Sequence, residues 1–500
     1  MLTTVAIEEA ESPFVLALDL GSSSIRSLVF DRRGRGLEGV IARRRHDLRT
    51  DSTGAAEADA GQLFDLLCQC IDETLARLGA RTSSIAGVTG CTFVGNIVGV
   101  DAIGQAMTPL FTYADTRSAP DAAMLRSALD EAAIHQRTGC RIHPSYLTAQ
   151  LHWLRRTQPE LWQRTARWLT LGEFIETRFF GEGGTSHSAA SWSGLLDRRR
   201  LDWDEELLDT LHLTDERLPR RVDFAAPRLE LLPVFSRRWP ALAHIPWFPV
   251  IGDGAAANVG SGCVSAARVA LTMGSTTALR TVVETAPQLP AALWCYRVDR
   301  RRSLPGGALT EGGNVYAWLQ QTLRLTEPAI VEAALAQQEP DAHGLTILPF
   351  LSGERAPGWA GHARATIHGL SAATQPVEIV RAGLEAVAYR IALVFEQLER
   401  FLTGDAQVIA SGGALQSSPA WLQIVADVLG RPVTLSAAEE ASARGSALLA
   451  LEALGELASL AHAPDLLGAT IEPDPKRHDR YRQAIQRQQL LYKKLIFEDD

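Results

Sequence analysis

Ala17-Leu18-Asp19-Leu20-Gly21-Ser22-Ser23-Ser24-Ile25-Arg26-Ser27-Leu28-Val29-Phe30 has a counterpart half a chain later, Ala270-Leu271-Thr272-Met273-Gly274-Ser275-Thr276-Thr277-Ala278-Leu279-Arg280-Thr281-Val282-Val283. Each copy is an apolar run, a glycine followed by three hydroxyl residues, and a second apolar run. That pattern predicts two buried strands joined by a tight turn. Glycine lets the backbone approach a ligand, and small hydroxyl side chains beside exposed N–H groups can cradle phosphate oxygens. One copy alone would read as an ordinary Gly-Ser hairpin. Two copies at long range point to a duplicated architecture, and one phosphate loop from each half is what a nucleotide held between two domains requires.

A third glycine-rich element, Val408-Ile409-Ala410-Ser411-Gly412-Gly413-Ala414-Leu415-Gln416-Ser417-Ser418-Pro419, reads as a strand running into a Gly pair and then a helix. The helix is expected over 420–430, with Leu422, Val425, Ala426 and Leu429 on one face and Gly430 as its stop. A helix N-terminus facing a strand end suits an anion or nucleotide, although a plain turn reads the same way. Elsewhere a strand is expected over 84–90 and helices over 63–78 and 377–401. The class is therefore α/β with mixed sheets.

At 500 residues, 46% hydrophobic and 21% charged, the chain can bury large cores and divides into two domains, placed at 13–249 and 250–500. The net charge of -9 argues against a general nucleic-acid binder. The basic runs Arg43–Arg45 and Arg300–Arg302 are short and read as solvated surface. Cys68, Cys70, Cys91, Cys140, Cys263 and Cys295 form no CxxC pair, so reduced, buried thiols are expected. The N-terminus is acidic where a signal peptide would be basic, and no run of about 18 apolar residues follows. A cytoplasmic protein without a membrane partner is expected.

Together the three glycine elements, in this order and spacing, resemble the FGGY family of carbohydrate kinases, and the likeness covers nearly the whole chain. The resemblance implies a two-domain actin-like ATPase (ribonuclease H-like) fold, with ATP and sugar in the interdomain cleft. By that likeness Gly21, Ser22, Ser23 and Arg26 belong to the first phosphate motif and Gly274, Ser275 and Thr276 to the second. Gly412, Gly413 and Ala414 would belong to the adenosine motif, with Gly313 and Ser417 as further nucleotide contacts. Asp19 would help hold Mg2+ through water. Within the family, similarity to gluconokinase-like members comes through Tyr113-Ala114-Asp115-Thr116-Arg117, the stretch Arg137 to Pro144, and Leu348 to Pro357; xylulokinases carry related versions of the first and last. Gln150 and Gly383 depart from the family's signatures.

Phosphoryl transfer needs an acceptor hydroxyl held in line with the γ-phosphate and a carboxylate to take its proton. Asp253 stands at the end of the apolar stretch Val250-Ile251, between Gly252 and Gly254 and before a run of small residues. An N-cap would look the same, but the resemblance gives this position the role of catalytic base, in contact with the substrate. Asp115 and Arg117 are candidates to hold polyol hydroxyls through charge-assisted hydrogen bonds. Glu354 and Arg355 sit in a loop that suits a functional or a bracing role equally. Where xylulokinases carry Met-His-Gly, this chain reads Gly90-Cys91-Thr92-Phe93-Val94-Gly95-Asn96, so Asn96 is the candidate that replaces the missing histidine. A carboxylated substrate such as gluconate would need a cation, for which Arg117, Arg141 and His143 are candidates. Trp153, Trp162, Trp168, Trp192 and Trp203 are expected in the core, with room for one ring on a sugar face.

The expected function is thus an ATP-dependent kinase of a small sugar, sugar acid or polyol, with gluconate first and xylulose, ribulose or another polyol as alternatives. Two other classes are a non-catalytic actin-like ATPase and a pseudokinase sensor. A nicotinamide dehydrogenase is disfavoured, because no G-x-G-x-x-G follows the first strand. The stretch 481–497 is expected to be helical, capping the fold or supporting a homodimer.

Overall fold

The structure, a computed structural model, describes residues 4–325 and 327–497. Two mixed sheets carry it. The first has the spatial order Thr4–Val5, Gly36–Arg45, Ser24–Phe30, Phe14–Leu20, Ile85–Thr92, Ile251–Gly252. The second runs Trp294–Arg297, Ser303–Leu309, Thr277–Thr281, Arg268–Met273, Gln407–Ser411, Val433–Ser436, Leu467–Ile471. Both contain one motif: a strand, its hairpin partner and a third antiparallel strand to one side, and two parallel strands to the other. The repeat in the sequence is therefore a repeated sheet.

Both hairpins form. Leu20 stands opposite Ile25, and Met273 opposite Thr277. Each turn is closed by its glycine, Gly21 N–H donating to the Ser24 carbonyl and Gly274 N–H to the Thr276 carbonyl, both at 3.0 Å.

Strand alternation decides what faces what. Phe14, Leu16, Leu18 and Leu20 enter a core with Leu63, Phe64, Leu67 and Ile71 of helix Ala60–Leu78. Val15 and Ala17 point the other way, against helix Ala441–Ala453. Each fully buried Leu or Phe of these rows contributes about 1.5–3 kcal/mol. Asp19 continues the second row, so the period of two that builds the sheet also turns this carboxylate toward the junction of the halves.

That junction has its own core. Strand Ile251–Gly252, just beyond residue 249, pairs with Ile85–Thr92 in the first sheet and runs directly into helix Asp253–Gly260. Ala255, Ala256 and Val259 of this helix pack with Ala443, Ala447 and Leu448 of the helix that crosses it. The crossing is close: a Cβ on Gly260 would stand 1.8 Å from the Ala441 carbonyl oxygen, and one on Gly445 1.8 Å from that of Ala256. Buried Arg444 donates to the carbonyls of Gly34 at 3.0 Å and Pro464 at 2.7 Å, and also to that of Gly260.

The expected helices are present as Ala60–Leu78, Pro376–Leu398 and Pro419–Leu429, and the C-terminal one as Pro475–Ile496. The last caps the second half through buried Tyr481, Ala484, Gln488 and Tyr492. The five tryptophans from Trp153 to Trp203 are buried, and all six cysteines are buried and free. Among the described residues no helix is long and apolar enough to cross a membrane.

Candidate active site

Asp19, Cys91 and Ile251 lie side by side on three parallel strands, in register Asp19↔Cys91↔Ile251. Asp253 follows two residues on, so both carboxylates sit at the carboxyl ends of parallel strands, where ligands bind in open α/β sheets. Asp253 opens its helix as the first helical residue. Gly252 occupies the cap position, and the Asp253 carboxylate accepts from the adjacent Gly254 N–H at 2.7 Å. It accepts from the N–H of the very next residue, whereas an N-cap side chain accepts from the N–H two or three residues on. Burial, followed by the nearby Asp19 charge, pushes Asp253 up to about 6, against the opposing pull of Arg280. Burial also raises Asp19, partly offset by Arg26 at 2.6 Å. Two carboxylates within each other's field, one held against an arginine and one left to titrate near neutrality, suit a division into metal holder and proton acceptor.

The glycine elements of the second sheet converge. Gly313 N–H donates to the Gly274 carbonyl at 2.8 Å, and Asn314 N–H to that of Ser275 at 3.1 Å. A Cβ on Gly313 would meet the Ala414 methyl at 3.4 Å, so Gly274–Thr276, Gly313 and Gly412–Ala414 form one surface. Gly274, Ser275 and Thr276 are exposed. Gly412 has φ +100°, and a Cβ there would stand 2.2 Å from the Met273 carbonyl oxygen. Gly412→Ala is therefore expected to cost about 1–3 kcal/mol of stability and to weaken ADP binding about 10-fold or more, read by thermal melting and calorimetric titration. Unchanged ADP affinity would show that this turn does not shape the nucleotide site. On the other side the Gly21–Ser23 turn is steadied by the His46 ring, 2.9 Å from the Gly21 carbonyl. Arg26 reaches across to Glu440, at the start of the crossing helix.

Deeper in, the Trp192 ring lies against Gly252 and Gly254 and stacks on Tyr296 at 3.5 Å between centroids. Tyr296 and Tyr146 share a hydroxyl–hydroxyl bond of 2.5 Å across the two halves. Arg280, opposite Gly306 in the second sheet, extends toward the junction, with Nη2 3.5 Å from where a Cβ on Gly254 would be. Its Nε and Nη1 are buried and bond to nothing, as is the Nε of Arg355. Burial, then the Arg355 charge, holds His143 down at about 3, so His143 is neutral and no cation. The loop that carries Arg355 is fixed by Glu354, which is buried and paired with Arg390 and Tyr492.

Residues 14–260 match the N-terminal domain, and residues 269–454 the C-terminal domain, of the FGGY family of carbohydrate kinases. The chain belongs to that family. It is an ATP-dependent carbohydrate kinase, a phosphotransferase acting on a sugar or polyol hydroxyl, with the actin-like two-domain fold. It is 26% identical to the gluconokinase of Bacillus subtilis over 92% of each chain. It is 29% identical to the apulose kinase of Pectobacterium atrosepticum, covering 96% of this chain and 99% of that one. Glycerol kinase 1 of Pseudomonas aeruginosa is 30% identical, over 88% and 90%. In fold it resembles a gluconate kinase from Lactobacillus acidophilus, with a TM-score of 0.91 at 24% identity over 97% and 98% of the two chains.

For this FGGY kinase the structure sorts the expected sugar contacts. Asn96 is fully buried: its amide donates to the Phe93 carbonyl, and its Oδ1 accepts from Leu171 N–H at 2.8 Å. Its carboxamide ties the turn after strand Ile85–Thr92 to the start of helix Leu171–Phe180, so both of its ends are engaged within the protein. Asp115 and Arg117 are spent on each other, at 2.5 Å and 3.1 Å, and Arg117 continues to Glu57 at 2.6 Å and over the Trp153 ring. Gln150 donates to the Thr112 carbonyl at 3.0 Å, and Arg141 pairs with Glu131 at 3.3 Å. Ser417 lies exposed, donating to the Ala414 carbonyl. Sequence reasoning missed Arg280, Tyr296 and Glu311, and named Trp192 only as one of five tryptophans expected in the core with room for one ring on a sugar face. Glu311 is buried, pushed up to about 7 by burial, with Oε1 accepting from the Thr310 hydroxyl at 2.6 Å and Oε2 unpartnered. The available signal for Arg280 was a lone charge inside an otherwise uncharged strand of the second hairpin.

Proposed function

We propose that this kinase transfers the γ-phosphate of ATP to a hydroxyl of gluconate or a closely related sugar acid, with magnesium accompanying the nucleotide. The charge balance at the inner end of the site carries the reading: Arg280 and Arg355 lack carboxylate partners among the described residues, while Asp253 is the carboxylate that burial leaves to titrate there. The full-length likeness to a curated gluconokinase supports it. A neutral polyol is the second reading, favoured by the likeness to apulose and glycerol kinases.

In this scheme the first half, 13–249, holds the sugar, and the second, 250–500, contributes Asp253, the second phosphate loop and the adenosine surface. Gly21–Ser23 and Gly274–Thr276 grip phosphate oxygens through backbone N–H groups, and Asp253 accepts the hydroxyl proton as the loose transition state transfers. The N-terminus of helix Asp253–Gly260 favours negative charge at the reacting centre. Asp19 fits the metal: its carboxylate is buried, and its Oδ2 accepts no hydrogen bond and meets only the Arg26 charge. A divalent cation held there would neutralise charge on the phosphates. The buried, free thiols suit the cytoplasm as the place of action.

The test is ADP release from Mg-ATP with gluconate, other aldonates, xylulose, ribulose, glycerol and erythritol. Turnover highest on gluconate is expected. Turnover confined to neutral sugars would move the assignment to the second reading, and sugar-independent hydrolysis would remove both.

A further inference from the structure

We propose that Arg280, backed by Arg355, is the receptor for the substrate's carboxylate and sets the preference for an acid over its neutral analogue. The inference rests on the sugar-acid reading and says which side chains enforce it.

Three observations converge on an anion here. Both guanidiniums have buried N–H groups with no acceptor, and an unpaired buried donor costs about 1–3 kcal/mol, more when charged. Arg280 also sits beside the N-terminus of helix Asp253–Gly260, whose partial positive charge disfavours a cation unless an anion lies between them. Third, the neighbours offer no relief. Tyr146 and Tyr296 are bonded to each other, His143 is neutral, and Glu354 is fully engaged by Arg390 and Tyr492. Among the described residues the carboxylate whose charge reaches Arg280 is that of Asp253, which the reaction needs for the acceptor hydroxyl.

The two anions that could come are the γ-phosphate and a carboxylate of the acceptor. Phosphates lie at the hairpin turns, and Arg280 is four residues down the strand from Thr276, about 13 Å at about 3.3 Å per residue. Arg355 lies further toward the sugar end, its field felt by His143, Tyr146 and Tyr296. A planar carboxylate matches the guanidinium fork in two parallel hydrogen bonds, which an uncharged carbonyl or hydroxyl end cannot reproduce.

The experiment compares kcat/KM on gluconate with that on glucitol, its uncharged analogue, in wild type, Arg280→Gln, Arg280→Lys and Arg355→Gln, with ADP affinity and melting temperature measured on each. Arg280→Gln is expected to lower the gluconate-to-glucitol ratio about 30- to 100-fold, mainly through KM for gluconate. Lys should restore part of it, Arg355→Gln should lower it less, and ADP affinity should hold. Removal of an unpaired buried charge should leave the melting temperature equal or higher. Equal loss on both acceptors, or weaker ADP binding, would place the arginine on the nucleotide side and overturn the proposal while leaving gluconate as the substrate. A wild type that takes glucitol but no aldonate would instead overturn the sugar-acid reading, and this inference with it.

Discussion

Asp253→Asn is expected to lower kcat about 1000-fold or more, to leave ADP affinity near that of the wild type, and to make the ligand-free protein more stable at pH 7. The first effect follows from losing the carboxylate proposed to accept the proton at the strand end. The gain in stability follows from the same burial that tunes the base. Asp253 is raised to about 6 by burial and by Asp19, so the folded state holds its proton more tightly than the unfolded chain does. Stability is then fully present below the ordinary carboxylate range and is lost as pH rises from there through about 6, up to about 3 kcal/mol at neutrality. Asn carries no such charge. Melting temperatures of both proteins at pH 4.5 and 7.5 should therefore converge at the lower pH and separate at the higher. The wild-type kcat/KM should climb with a midpoint near 6 and level off above it, because only the ionised carboxylate accepts a proton. A variant with near-normal kcat would remove Asp253 from the role of base. Equal melting at both pH values would show that its carboxyl is not strained by burial.

Much of this site was legible in the sequence because glycine and hydroxyl residues leave a local signature. Gly21–Ser23, Gly274–Thr276 and Gly412–Ala414 could be read from single stretches, and their assembly followed from their repetition. Asp253 was legible as a carboxylate between glycines at the end of an apolar strand. Asn96 and the Asp115–Arg117 pair read as sugar contacts because a polar residue in a motif looks the same whether it points at a ligand or at the backbone. The partners Leu171 and Glu57, 75 and 60 residues away in the chain, show where those groups are engaged. Arg280 was passed over for the converse reason. Its significance lies in what it does not touch, and an unpaired donor can be recognised only after the fold has placed every carboxylate. The helix crossing at Gly260 and Gly445 was equally silent, since two glycines separated by most of the second half carry no joint pattern.

Gly445→Ala is expected to lower stability by at least about 3 kcal/mol, although in an isolated helix the same change would stabilise by about 1 kcal/mol. The sign is reversed by the crossing: the new methyl would stand 1.8 Å from the Ala256 carbonyl oxygen, and the obstacle is backbone, with no side chain free to turn aside. The two helices must therefore separate, and the one displaced begins with Asp253. Even among molecules that remain folded, kcat should fall, on the order of 100-fold for a shift of about 1 Å, while the phosphate turns, built on the sheets, keep their affinity for ADP. Gly260→Ala meets the Ala441 carbonyl at the same distance and should behave alike. Because both relieve themselves by the same separation, the double variant should cost less than the two single costs added together. Gly404→Ala, where a Cβ would meet nothing within 4 Å, is the control and should be near neutral. The measurements are chemical denaturation of the four variants beside the wild type and kcat corrected for the folded fraction. Wild-type stability in Gly445→Ala would mean that the close crossing is not what sets the position of the base relative to the phosphate loops.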